Sequence, residues 1–318
     1  MSFKDVLGAD NIFKRFKDKD HLSNVYIITG EKGSGKGLAA KEAAKYLNCM
    51  GQDKPCDICD CCVSIEAGSY PDVYTVTGNK SIGVDEIRDV IERAAVKPYA
   101  SRYNIFIIDK ADDMTPEAQN AILKTLEECK KSNIFLLLTD SITAVLPTIR
   151  SRAQILSMKR AGEEELVSLL MRRYDTSREQ ALFAARFSKG VVGRAVKLIQ
   201  PEYLEFRRRM YDAIDSLKDM KPYDVFDIYK SLKPDRATAG DMLNILESFY
   251  RDMLMIKYDK NALIINVDKQ SYIENYGSFS DEELIRIISR IEETGRYISH
   301  NTNIQLTFDV LFLDIMGV

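Results

Sequence analysis

The stretch Gly30-Glu31-Lys32-Gly33-Ser34-Gly35-Lys36-Gly37 departs at one position from the phosphate-binding pattern G-x-x-x-x-G-K-[ST]. Such a loop presents backbone N–H groups to phosphates, and it does so between a strand and the start of a helix. Both flanks are present. Val25-Tyr26-Ile27-Ile28-Thr29 is a β-branched and aromatic run ending at Gly30, and reads as a buried strand. Leu38-Ala39-Ala40-Lys41-Glu42-Ala43-Ala44-Lys45-Tyr46-Leu47 is built mainly from strong helix formers. The departure is Gly37, where a hydroxyl should ligate Mg²⁺. Gly30, Gly33, Gly35, Lys36 and Gly37 are therefore candidates for a nucleotide loop that keeps its donors and its ammonium but lacks a metal ligand. A glycine-rich surface turn would not account for the flanking strand and helix.

Asn104-Ile105-Phe106-Ile107-Ile108-Asp109 is an apolar run ending in an acid, the second nucleotide motif. It reads as a parallel strand buried on both faces. In a working ATPase the acid helps to hold Mg²⁺ and a following Glu polarises the attacking water. Here Asp109 is followed by Lys110, which carries a proton at pH 7 and cannot serve as that base without a large pKa shift. Thr115-Pro116 then supplies an N-cap and a first-turn proline for a helix through Glu128, with Ala118, Ala121, Ile122 and Thr125 on one face. Ile134-Phe135-Leu136-Leu137-Leu138-Thr139-Asp140 is the next buried strand, and brings Thr139 to the same sheet edge.

Cysteines are crowded into Cys56-Asp57-Ile58-Cys59-Asp60-Cys61-Cys62, with Cys49 upstream. In a reducing compartment such crowding indicates metal rather than disulfides. Cys49, Cys56, Cys59 and Cys62 offer four thiolates at spacings that can close a tetrahedron, and Cys61 could replace Cys62 by a local shift. Pro55 favours a turn before the first of the clustered ligands. No histidine or acid sits at ligand spacing to leave a coordination position open. The expected role is a structural Zn²⁺ that pins an excursion between the loop helix and the next strand. Cys129 is isolated and reads as a packed or surface thiol.

A length of 318 residues suits two or three domains. The net charge is −3, which argues against a tight autonomous DNA binder. Met1-Ser2-Phe3-Lys4-Asp5 leads into no long apolar stretch, and no run reaches transmembrane length. A cytoplasmic location without a membrane partner is expected.

Ala118-Gln119-Asn120-Ala121-Ile122-Leu123-Lys124-Thr125-Leu126-Glu127-Glu128, then a strand, then Leu146-Pro147-Thr148-Ile149-Arg150-Ser151-Arg152 closely resembles the bacterial clamp-loader branch of the AAA+ proteins. Pro71-Asp72-Val73, Ser81-Ile82-Gly83-Val84-Asp85-Glu86-Ile87-Arg88 and the four-cysteine insertion add to the likeness. It covers about the first 200 residues, and the last third matches loosely, through Asn301-Thr302-Asn303-Ile304-Gln305-Leu306. The resemblance implies an AAA+ α/β domain over 1–160 with a zinc module near 48–66, a helical lid over 161–202, and an all-helical collar domain over 203–318.

Within that branch stand an ATP-hydrolysing motor, gamma/tau, and a stator that looks like the motor. Gly37 and Lys110 disagree with the motor. So does Lys189-Gly190-Val191-Val192-Gly193-Arg194: the motor's ATP-sensing arginine falls three residues after the first glycine, where this chain has Gly193. Arg194 comes one residue later, about 100° around the helix, and should point away from the phosphates.

The resemblance therefore implies a stator in a five-subunit ring with gamma/tau and delta subunits, which loads a sliding clamp onto primer-template DNA. Its own ATP or ADP site would be empty or would hold nucleotide without turnover. Ser151-Arg152-Ala153 stands where the family has Ser-Arg-Cys, so Arg152 would be an arginine finger reaching a neighbour's ATP. The alternatives are a motor subunit and an AAA+-derived adaptor outside replication.

In the lid, Leu166, Leu169, Leu170 and Tyr174 share a helical face, and Thr176-x-x-Glu179 reads as a capping box. Ser280-x-x-Glu283 is another, followed by a stripe of Leu284, Ile287, Ile288 and Ile291. Arg207-Arg208-Arg209 spreads around a helix, and is expected to be a solvated face rather than a DNA patch.

Overall fold

The computed structural model describes residues 6–18, 21–78, 81–232, 236–300 and 302–317; the reading of Met1-Ser2-Phe3-Lys4-Asp5 and the Asn301 of the carboxy-terminal stretch lie outside them. The chain divides into two compact units. One is Met1–Leu169 with Val191–Arg194, and the other is Leu170–Gly190 with Ala195–Val318.

In the first unit, β1 (Val25–Thr29), β2 (Val73–Thr77), β3 (Asn104–Asp109), β4 (Asn133–Thr139) and β5 (Gln154–Ser157) form one sheet in the order β2-β3-β4-β1-β5. Every pairing is parallel. The helices are α1 (Asp10–Lys17), α2 (Lys36–Asn48), α3 (Asp60–Glu66), α4 (Val84–Ala94), α5 (Pro116–Glu127) and the short α6 (Pro147–Arg150). Side chains alternate across the sheet. Tyr26, Ile28, Ile105, Ile107, Leu136 and Leu138 pack with Ile12 and Phe16 of α1 and with Ala39, Ala40, Ala43 and Ala44 of α2. The intervening Val25, Ile27, Phe106, Ile108, Phe135 and Leu137 pack with Ile87 and Val90 of α4 and with Ala118 and Ile122 of α5. Because both faces are covered, β1, β3 and β4 read as unbroken apolar runs.

The parallel arrangement brings the ends of β1, β3 and β4, at Thr29, Asp109 and Thr139, to one edge, with Thr29 in register with Thr139. Ligands of open α/β sheets bind at this carboxyl edge.

The division between the units falls inside α7 (Glu163–Tyr174) and α9 (Val192–Leu198). The second unit otherwise holds α8 (Arg178–Phe187), α10 (Pro201–Ser216), α11 (Val225–Leu232), α12 (Arg236–Lys257), α13 (Gln270–Glu274), α14 (Asp281–Ser299) and α15 (Ile304–Met316). Its core is aromatic: Phe249 meets Tyr211, Tyr250 and Tyr276 edge-on.

Local expectations fared unevenly. Thr115 caps α5 by accepting from the Ala118 amide, and Ser280 and Glu283 form the capping box of α14. In α5 the buried face is Ala118, Gln119, Ile122 and Leu126, while Ala121 and Thr125 are half-buried. The expected box at Thr176 is displaced: Ser177 caps α8 through the Gln180 amide, and Thr176 bonds the Gln180 side chain instead. Leu166, Leu169 and Leu170 are buried, but Tyr174 at the end of α7 is exposed. The three arginines are not one solvated face. Arg207 is buried, stacks 3.6 Å from the Phe183 ring and makes a two-point bond to Asp268. Arg208 pairs with Glu205 and Asp212 on the surface.

Candidate functional site

The glycine loop has the backbone its residues suggest. Gly33 and Gly35 adopt positive φ of 85° and 93°, and Gly35 opens α2 from the left-handed region. Lys36 is buried at the first position of the helix. Its ammonium donates to the carbonyls of Gly30 and Glu31 at 2.9 and 3.1 Å and to the Asp140 carboxylate at 2.5 Å. An anionic partner for the loop lysine is therefore supplied by the chain itself.

The loop has a second internal contact. The Gly193 amide donates to the Gly33 carbonyl at 2.8 Å. A Cβ at 193 would lie 2.7 Å from that oxygen, so the approach depends on glycine. Gly193 thus holds the loop by its backbone.

Gly37 faces open space. A Cβ built on Gly37 meets nothing within 4 Å, and Gly37 and Asp109 line one cavity of about 460 Å³ with Lys41, Tyr70, Tyr74 and Ile107. The Thr139 hydroxyl is turned to its own chain, donating to the Ser141 carbonyl at 2.8 Å and accepting from the Ser141 amide. Lys110 follows Asp109 in the left-handed region at φ 57°.

Arg152 is elsewhere. It lies two residues before β5, whereas the glycine loop follows β1, and the two strands pair in parallel. The two features thus occupy opposite edges of the sheet, separated by about four to five residues of strand at ~3.3 Å each. Arg152 cannot serve the loop of its own chain. Its guanidinium rests on the Thr148 carbonyl at 2.8 Å and the Glu127 carboxylate at 2.5 Å.

Residues 8–162 match the family described as DNA polymerase III, delta subunit, and residues 201–316 match DNA polymerase III, delta subunit, C terminal. The chain is 30% identical to DNA polymerase III subunit delta′ of Bacillus subtilis over 303 residues, 93% of this chain and 92% of that one. It belongs to the delta-prime family of DNA polymerase III subunits.

Tau and gamma-type subunits are related as well. DNA polymerase III subunit tau of Bacillus subtilis is 27% identical over 94% of this chain, which spans 59% of the tau chain. A gamma subunit-related protein from Thermotoga maritima has the same fold, with a TM-score of 0.51 at 16% identity over 98% of this chain and 99% of that one. The AAA+ architecture expected for this delta-prime family member, an α/β domain followed by a helical one, is the one observed.

The cysteine cluster runs from the end of α2 into the first turn of α3. The sulfurs of Cys49, Cys56, Cys59 and Cys62 all lie within 4.8 Å of one another. A tetrahedral zinc site with ~2.3 Å bonds needs sulfurs about 3.8 Å apart, so the donor set fits such an ion. Cys61 is outside the group, packed in the core beside α2. Its thiol is pushed up to about 11 by burial, as expected of an inert side chain. The Cys56 thiol is drawn down to about 6 by the backbone N–H groups of Ile58 and Cys59. Burial pushes the Cys62 thiol up. The amides of Gly51 and Cys56 donate to the Cys49 sulfur at 3.3 and 3.4 Å, orienting it as supporting hydrogen bonds orient metal ligands.

The module is keyed to the loop helix by a residue with no motif of its own. Lys45 of α2 is 1% exposed and pairs with Glu42 at 2.8 Å, Asp57 at 3.2 Å and Glu66 at 2.5 Å. Burial alone would lower its pKa, but the three carboxylates outweigh it and raise it. Burial also raises the Glu42 carboxyl, against the pull of Lys45. Lys45 and Asp140 were not singled out by sequence reasoning. A lysine inside an alanine-rich helix looks like an ordinary surface cation, and the acid after Thr139 like a strand end.

Proposed function

We infer that this chain is the stator of a bacterial clamp loader, the delta-prime position in a five-subunit ring with gamma/tau and delta subunits. The ring would open a sliding clamp and close it on primer-template DNA with ATP hydrolysed by the motors. The observation that carries this reading is the pairing of an internally engaged nucleotide loop with an arginine on the opposite edge of the sheet. Lys36 is held by Asp140 and Gly33 by Gly193, while Gly37 and Lys110 replace the metal ligand and the base. On this reading the chain turns over its own nucleotide poorly, and Arg152, with Ser151 beside it, would act on another subunit's.

In the neighbour's site, water attacks the γ-phosphorus and the bond to the β–γ bridging oxygen breaks, giving ADP, phosphate and a proton. Arg152 would stabilise the charge spread over the γ-phosphoryl oxygens, worth about 10³–10⁵ in rate at the site it serves. Cys49, Cys56, Cys59 and Cys62 would hold a structural Zn²⁺. That ion would pin the excursion between α2 and β2. The domain roles follow the same reading: 1–160 as the AAA+ domain, 161–202 as a lid and 203–318 as a collar that joins the ring.

The test is ATP hydrolysis by the reconstituted loader, with clamp and primed DNA, carrying this chain as wild type or Arg152→Ala. Loss of the share of turnover due to the adjacent motor, with the ring intact, supports the reading. An unchanged rate removes the finger and leaves an architectural subunit.

A further inference from the structure

The contact between Arg152 and Glu127 has a consequence for when the finger acts. Glu127 is the last residue of α5, and Arg152 lies just beyond α6. The guanidinium is gripped at two points, by the Glu127 carboxylate at 2.5 Å and the Thr148 carbonyl at 2.8 Å, with the Ser151 hydroxyl at 3.3 Å. A carboxylate at a helix carboxyl end faces the negative pole of the helix dipole, so Glu127 gains from a cation there. A carboxylate and a phosphoryl group also compete for the same donors, because both accept the parallel N–H groups of a guanidinium.

We propose that Glu127 holds the finger back: it engages Arg152 until a neighbour's nucleotide, correctly presented, displaces it. This rests on the reading of Arg152 as a finger. The side chains of Arg152 and Glu127 are 36% and 46% exposed, so the pair is weak enough to break without unfolding anything. A deeply buried pair would lock the arginine permanently; a solvent-facing one sets a threshold. The restraint lowers hydrolysis while the ring is loosely assembled without DNA, and is overcome when clamp and primed DNA bring the neighbouring site onto the arginine.

The experiment is a double-mutant cycle in the reconstituted loader with Glu127→Gln, Arg152→Ala and both, read as ATPase rates with and without clamp and primed DNA. Gln is close in shape to Glu and as good a helix former, so folding is retained. Glu127→Gln is expected to raise the DNA-free rate about two- to fivefold, the weight of an exposed ion pair, and to flatten its dependence on salt. The gain should vanish on the Arg152→Ala background. If Glu127→Gln changes nothing or slows hydrolysis while Arg152→Ala is damaging, the holding role is wrong and the finger stands. A gain that survives in the double variant also overturns the proposal, since Glu127 would then act through something else. If Arg152→Ala has no effect under any condition, it is the finger reading that fails.

Discussion

The Gly193 amide and the Gly33 carbonyl are 2.8 Å apart, and a side chain at 193 would have to begin 2.7 Å from that oxygen. Position 193 is thus closed to any side chain unless the loop moves. Gly193→Arg is expected to lower stability by about 1–3 kcal/mol, as overpacking does. Gly193→Ala should shift the melting temperature in the same direction despite its better helix propensity. A rise for both variants would show that the loop yields freely.

Asp140 pairs with Lys36, the ammonium that the phosphate-loop pattern offers to a phosphate. Asp140→Asn should tighten binding of ADP by about 1 kcal/mol, roughly fivefold, by freeing the ammonium. Titration calorimetry on the two proteins decides it; equal affinities would mean that Lys36 is not what limits binding.

The four sulfurs of the cluster predict one zinc ion per chain. Serine at Cys49, Cys56, Cys59 or Cys62 should release it, while Cys61→Ser should keep it, because Cys61 lies in the core rather than in the group. Metal content after purification and chelator challenge measures this. Retention in Cys62→Ser with loss in Cys61→Ser would exchange the two assignments.

Lys45→Met should cost about 3–5 kcal/mol near neutral pH, because it leaves Glu42, 0% exposed, charged and unpaired. Glu42 already has a raised pKa through burial, so lowering the pH lets it take a proton and the penalty shrinks. Adding Glu42→Gln should recover much of the loss. Denaturant unfolding at pH 5 and pH 8 checks both points, and a penalty independent of pH would place the damage elsewhere.

Asp72 accepts from the amides of Tyr99 and Ala100 and the Ser101 hydroxyl at 2.7, 2.8 and 2.8 Å. Burial works to raise its pKa, but these donors outweigh it and hold it below 3.8. A depressed carboxylate contributes stability that is complete above its unfolded value and is lost as the pH falls through the folded one. Asp72→Asn should therefore cost about 1–3 kcal/mol at pH 7, and the gap from wild type should shrink as the pH falls through the lowered folded-state pKa. A gap of constant size in acid would exclude the carboxylate as its source.

Much of the fold was open to sequence reasoning because its signals are local. An unbroken apolar run reads as a strand covered on both faces, and Thr115-Pro116 or Ser280-x-x-Glu283 reads as a helix start, since each depends on residues a few positions apart. The missing hydroxyl at Gly37 and the lysine after Asp109 were equally plain, being absences at fixed positions in known patterns. Where two residues were near-equivalent by such rules, the reading slipped by one, as at Thr176 and Ser177, or stayed open, as at Cys61 and Cys62.

Residue order alone thus determined the strand–loop–helix scaffold, the departures from the nucleotide motifs at Gly37 and Lys110 and the cysteine set, because these follow from local propensity and spacing. Only the tertiary structure decided what engages the loop and which way the polar side chains turn. Lys36 and Asp140 are 104 residues apart, Arg207 and Asp268 are 61 apart, and Gly33 meets Gly193 from the far end of the first unit's chain. Such pairs are chosen by packing, where a buried charge or amide must find whichever partner the folded chain brings within reach.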